Sequence, residues 1–151
     1  MTQDGTVRQN DANLMTMLEQ APEFFGALRF NEFSNTIEIW MDGWDAGGEV
    51  PRSWQDSDES ALLRWAQADV FPSMARNKVL PAVQYTAQQR AYDPLKDYLD
   101  GLVWDEEERL DFWLTDYLGA AGNADYIKAI GRMWLISAVA RAYEPGCQAD
   151  H

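Results

Sequence analysis

The stretch from Ala124 to Tyr143 contains no proline, and it places Ile127, Ile130, Met133, Trp134, Leu135, Ile136 and Val139 on nearly every side of the helix it would form. A helix that is apolar all round has to be enclosed by other elements. This stretch therefore predicts the central helix of a core, closed by Pro145-Gly146. Trp134, near its middle, is expected to fill the largest single volume there, so that its loss would cost about 3–5 kcal/mol.

A chain of 151 residues that is 46% hydrophobic is long enough to build such a core. The expectation is one mainly helical domain over residues 11–151, preceded by a flexible arm at residues 1–10, where the sequence is polar and aperiodic. Trp54 and Trp65, like most of the 7 tryptophans, are read as packing residues.

Between arm and terminal helix the pattern changes several times. Asp11 opens a short helix carrying Leu14, Met15, Met17 and Leu18, and Pro22 opens a further turn whose Phe24 and Phe25 are expected to cap the core. Leu28 to Phe33 and Thr36 to Trp40 alternate apolar residues about Ser34-Asn35, the pattern of a β-hairpin. Residues 41–51, with Gly43, Gly47, Gly48 and Pro51, read as a flexible loop.

Asp56 with Glu59 resembles a capping box for a helix that runs to Pro72, and a second helix starts near Asn77 with Pro81 in its first turn. Two helices after a hairpin suggest a winged-helix arrangement in the first half. Asp93-Pro94 begins a short helix ended by Gly101. Asp105 with Glu108 caps another, which carries Leu110, Trp113, Leu114, Tyr117 and Leu118 on one face and stops at Gly119. The fold class expected is mainly α with one small β-hairpin.

The formal charge of −13, from 25 acidic and 12 basic residues, repels a phosphate backbone unless the basic residues share a face. Arg64, Arg76, Lys78 and Arg90 fall in or beside the two middle helices and are the candidates for nucleic-acid contact; the alternative is that they solvate an outer helix face. One cysteine excludes an internal disulfide, and Met1 is not followed by a basic and then apolar leader, which fits a cytoplasmic location. The longest apolar run, Met133 to Ala140, is far short of the roughly 20 residues that span a bilayer, so no membrane partner is expected.

Active-site signatures are incomplete. No Gly-Lys pair exists to build a phosphate loop. His151 is the single histidine and sits at the last position, and with Cys147 it makes at most half of a zinc site. The acidic run Asp105-Glu106-Glu107-Glu108 could hold Mg²⁺, but the first turn of a helix explains it as well. Asp93, Asp97 and Asp100 lack the spacing of a calcium loop. Neither a catalytic residue nor a cofactor nor a metal site is expected.

Three ordered stretches carry a resemblance: Leu28-Arg-Phe-Asn-Glu-Phe-Ser-Asn-Thr-Ile-Glu-Ile-Trp40; Tyr92-Asp-Pro-Leu-Lys-Asp-Tyr-Leu-Asp-Gly-Leu-Val-Trp-Asp105 with Arg109-Leu-Asp111; and Ala129-Ile-Gly-Arg-Met-Trp-Leu-Ile-Ser-Ala-Val-Ala-Arg-Ala-Tyr-Glu-Pro-Gly-Cys147. Together they resemble the virulence-associated protein E family, which is similar to the primase-helicases of phages, prophages and satellite elements. In such proteins an ATPase of the superfamily 3 type forms rings on DNA.

The resemblance implies that Pro145-Gly146-Cys147 and Asp150-His151 lead toward the motor's first strand and phosphate loop. This chain would then be a non-catalytic region upstream of a helicase ATPase core. It would position or oligomerise the motor and assist DNA engagement, with the ATPase domain, other replication proteins or its own copies as partners. A competing expectation is a stand-alone acidic protein-interaction module of a prophage. Where the family commonly has Gly after Trp-Asp, this chain has Glu106, which argues against a tight turn there.

Overall fold

A computed structural model of the chain describes residues 8–43 and 49–148. Most of the arm expected at residues 1–10, the centre of the loop expected at 41–51, and His151 lie outside the described residues. Contacts divide the chain into two compact units, Met1–Pro94 and Leu95–His151, where the sequence suggests one domain over 11–151.

The first unit begins with α1, Asp11–Gln20, whose N-cap Asn10 accepts the Asn13 N–H through Oδ1 at 3.0 Å. That bond satisfies one of the donors left free at a helix start. Leu14 and Leu18, one turn apart, are wholly buried. The turn after α1 contributes Phe24 to the core but leaves Phe25 at 70% exposure, so only one of the two expected capping phenylalanines is internal. Neighbouring residues in a turn diverge, and Phe25 instead lies under the Arg90 guanidinium at 4.7 Å.

The expected hairpin is present as β1, Leu28–Asn31, and β2, Thr36–Ile39, paired antiparallel with Leu28 opposite Ile39 and Arg29 opposite Glu38. Asn35 at φ +54° makes the reversal, a left-handed geometry that Asn tolerates better than most residues. Two further strands widen the sheet. β3, Arg52–Ser53, pairs antiparallel with β2, and β4, Ala91–Tyr92, pairs parallel with β1, giving the order β3-β2-β1-β4. Two-residue strands are too short to show an alternating pattern, which is why the sequence reveals only the hairpin.

α2, Asp56–Asp69, starts one residue away from the expected box: Gln55 is the N-cap, and Asp58 at the third helical position accepts the Gln55 N–H at 2.8 Å. The deciding partner is Arg52, which donates to both Asp58 oxygens at 2.8 and 2.6 Å and fixes the carboxylate over the helix start. Asp58 is fully buried. A 3-10 turn, Arg76–Lys78, leads into α3, Val79–Gln88, with Pro81 in the first turn as expected. Leu14 and Leu18 of α1, Leu62 and Ala66 of α2, and Val79 and Val83 of α3 close one core with Leu28 and Ile39 of the sheet; Trp54 and Trp65 pack on it half-buried.

The second unit is built differently. α4, Pro94–Asp100, follows the expected boundaries. The helix expected from Asp105 shrinks to α5, Trp113–Leu118, which ends at Gly119 in the left-handed region. α6, Ala124–Tyr143, has the predicted ends, with Asn123 Oδ1 capping the Tyr126 N–H at 3.1 Å. Its expected role as an enclosed core helix is not met. Trp134 is 54% exposed, and Gly131 is the one described residue of this unit that is buried. An apolar circumference requires enclosure, but α5, a helix of 6 residues, covers only one side of α6. Among the described residues, no helix is long and apolar enough to cross a membrane.

Candidate docking surface

The closest contact in the second unit is between α5 and α6 at Gly131. A Cβ there would meet Trp113 Nε1 and Leu114 Cδ1 at 3.0 Å, so glycine is what allows the two helices to approach. Trp113 Nε1 donates to the Gly131 carbonyl at 3.0 Å, and the Trp113 and Trp134 rings lie 5.5 Å apart. Arg132 donates to Asp111 at 3.0 Å, Lys128 Nζ sits 4.7 Å from the Phe112 ring centre, and the Tyr143 hydroxyl donates to Asp100. That bond holds the Tyr143 pKa above its ordinary value. These ties hold α6 along its Gly131 side and, through Tyr143, at its C-terminal end.

The other side of α6 is bare. Tyr126, Ile130, Met133, Ile136, Val139 and Tyr143 are all between 41% and 67% exposed. Leu102, Val103 and Trp104 are exposed as well, and so are Tyr117 and Leu118 of α5. Large apolar side chains gathered on one open helix side mark a surface that something covers.

The acidic run Asp105–Glu108 does not lie in a helix. Arg109 grips Asp105 with two parallel bonds of 2.7 Å, and Asp105 Oδ1 also accepts the Glu107 N–H at 3.3 Å. Held chiefly by Arg109, the Asp105 carboxyl is pulled down to about 2. The fork closes a loop around Glu106, which adopts φ +69°. The tight turn is thus kept although a Glu occupies it, and the expected cap is replaced by an ion-paired loop because Arg109 lies within reach of Asp105. Among the described residues no group of three or more His, Cys, Asp or Glu side chains is arranged to hold a metal.

None of the four basic candidates is free of contacts within the chain. Arg76 donates to Glu59 at 2.9 Å, Lys78 pairs with Asp11 at 3.7 Å, and Arg90 stacks on Phe25. Arg64 is exposed on α2. Arg76, Lys78 and Arg90 are thus held from three different segments.

A cluster not singled out in the sequence occupies the sheet. Arg29, Asn31, Glu38 and Tyr92 project to the same face, since side chains alternate along each strand and these positions are cross-strand neighbours. Glu38 accepts from Tyr92 Oη at 2.6 Å, Trp40 Nε1 at 3.2 Å and Asn31 Nδ2 at 2.9 Å. Burial and then the Glu38 bond push the Tyr92 hydroxyl up to about 12. Arg29 lies 4.2 Å over the Trp40 ring, and its buried Nε has no hydrogen-bond partner. The available signal was the polar half of the hairpin alternation, Arg29 and Asn31 against Glu38.

Residues 99–151 match the model of the virulence-associated protein E-like domain. The matched residues make up most of the second unit. The match covers the third resembling stretch and the end of the second, and it leaves the hairpin stretch, Leu28 to Trp40, outside. No curated protein matches the chain. The virulence-associated protein E-like region therefore coincides with the unit whose apolar side chains are open.

Proposed function

We propose that this chain is a non-catalytic accessory region of a phage or mobile-element replication helicase or primase-helicase, which positions or oligomerises the ATPase motor and assists its engagement with DNA. The observation that carries this reading is the bare apolar side of α6 within the virulence-associated protein E-like region. A surface of that kind gains by association roughly in proportion to the apolar area it removes from water.

The first unit adds a packed body with a core of its own. The test is to mix the purified chain with the ATPase segment of a virulence-associated protein E-family helicase and follow both by size-exclusion chromatography. Co-migration that is lost in a Met133→Glu/Ile136→Glu variant is the expected result. Mg²⁺-dependent ATP hydrolysis by the chain alone, surviving controls for contaminants, would sink the reading.

A further inference from the structure

Between α3 and the hairpin, the first unit has an open cleft of about 420 Å³, within the roughly 300–1,000 Å³ of small-molecule sites. Its apolar surface comes from Phe30 and Ile37, which lie opposite each other on β1 and β2, and from Trp54, the residue after β3. All three are partly buried against the core. The Trp54 N–H donates to the Ile37 carbonyl at 2.8 Å, which ties the backbone that carries the indole to β2.

The polar part of the lining is uncharged. Gln84 and Gln88, one turn apart on α3, bring two amides from the helix side, and Asn35 and Ser53 stand on the sheet side. All four are exposed, so their polar ends are open to a ligand. Although 25% of the chain is charged, no Asp, Glu, Lys or Arg among the described residues lines this cleft. An anion would find no counter-charge there, and an aliphatic ligand would leave the amides unmatched. A planar ring with a hydrogen-bonding edge uses both the aromatic surface and the amides.

We infer that the cleft seats one unpaired nucleobase, stacked on the Trp54 ring and hydrogen-bonded along its edge by Gln84 and Gln88, with adenine the best match. Stacking a base on an aromatic side chain contributes about 1–3 kcal/mol whatever the base. An amide carries an acceptor and a two-proton donor side by side. Adenine sets its N6 donor beside its N7 acceptor, and a single glutamine amide bonds both at once. The cleft lies among residues 30–88, outside the residues that match the virulence-associated protein E-like domain, and the inference does not rest on the accessory role.

Charge sets the order of affinities. The lining offers a phosphate no cation, and the net charge of −13 repels it. Adenosine is therefore expected to bind more tightly than ATP, the reverse of a site built around phosphate. Added NaCl should change adenosine binding little, because no ion pair forms. A free nucleoside and a base within a single strand present the same ring, and the two sources are separated by the ligands titrated.

The experiment titrates the full chain with adenosine, ATP, a short oligo-dA strand and glucose, following the tryptophan indole N–H signals by NMR; the Trp54→Phe variant assigns the Trp54 signal. Adenosine is expected to shift that signal saturably. In Gln84→Leu/Gln88→Leu its affinity should fall by at least about tenfold, since a bidentate amide–base contact contributes about 1–3 kcal/mol. Both glutamines are exposed, so the circular dichroism and the urea midpoint of that variant should stay unchanged. Oligo-dA that binds at least as tightly as adenosine supports a base within a strand, and adenosine binding without oligo-dA binding supports a free nucleoside. The proposal is overturned by the absence of saturation with adenosine up to about 10 mM, by ATP binding more tightly than adenosine, by glucose binding equally well, or by an unchanged affinity in the double variant. None of these outcomes alters the co-migration with a helicase motor that tests the accessory role.

Discussion

The two units have similar chemistry in their sequences and opposite outcomes in their burial. In Met1–Pro94, three helices and a sheet surround the same space, so Leu14, Leu18, Val79 and Val83 lose all contact with solvent. In Leu95–His151, one long helix meets one short one, and Gly131 is the single described residue that becomes buried. Apolar content alone does not make a core. A core needs enough elements to close around each apolar face, and a unit of this length with two main helices has one layer where two are required.

Arg52→Ala should give the largest effect. It removes the charged partner of the fully buried Asp58 carboxylate, which keeps the Gln55 N–H, and a loss of about 3–5 kcal/mol in urea unfolding is expected; a loss under about 1 kcal/mol would mean that Asp58 is reached by water. Next comes the direct contrast between the units. Leu14→Ala should cost about 2–5 kcal/mol, while Trp134→Ala, in dilute solution, should cost less than about 1 kcal/mol despite removing a larger side chain. Equal costs would erase the distinction drawn here.

A smaller effect is expected at the α5–α6 contact. Gly131→Ala gains up to about 1 kcal/mol in helix propensity but forces the Trp113 ring away from its carbonyl partner, for a net loss of about 1–2 kcal/mol. Faster hydrogen exchange of the Trp113 indole N–H would report it. Glu106→Gly should work in the opposite direction, stabilising the second unit by about 1 kcal/mol, because a left-handed backbone strains any residue with a Cβ. No gain in thermal stability would place the strain elsewhere.

The smallest effect at neutral pH belongs to Tyr92. Its hydroxyl is held up to about 12 from an ordinary value of 10, so the folded state favours the protonated form. The associated stability is complete below pH 10 and is lost as the pH rises through about 12. Phenolate absorbance should therefore show one late-titrating tyrosine that disappears in Tyr92→Phe; a titration of that group near 10 would show that the Glu38 cluster is open to solvent.

Much of the fold was legible because its signals are local. Asn123 and Pro145 bracket α6, Asp93-Pro94 starts α4, and Ser34-Asn35 turns the hairpin, each through backbone preferences that operate within a few residues. The α2 start was misplaced by one residue because its cap is chosen by Arg52, a strand residue. The helix expected at Asp105 failed for a related reason: Arg109 competes for the carboxylate that would have capped it. Neither choice is written in the helix's own pattern.

The candidate surface divides along the same line. Sequence determined that α6 would be a helix with apolar residues on nearly every side. Tertiary structure decided which of those sides would meet a neighbour. Helix formation depends on hydrogen bonds between residues four apart, whereas burial depends on what other elements bring to the same place. Among the described residues of this unit, α5 is the helix that packs along α6, and it covers the Gly131 side, leaving Met133 and Ile136 exposed.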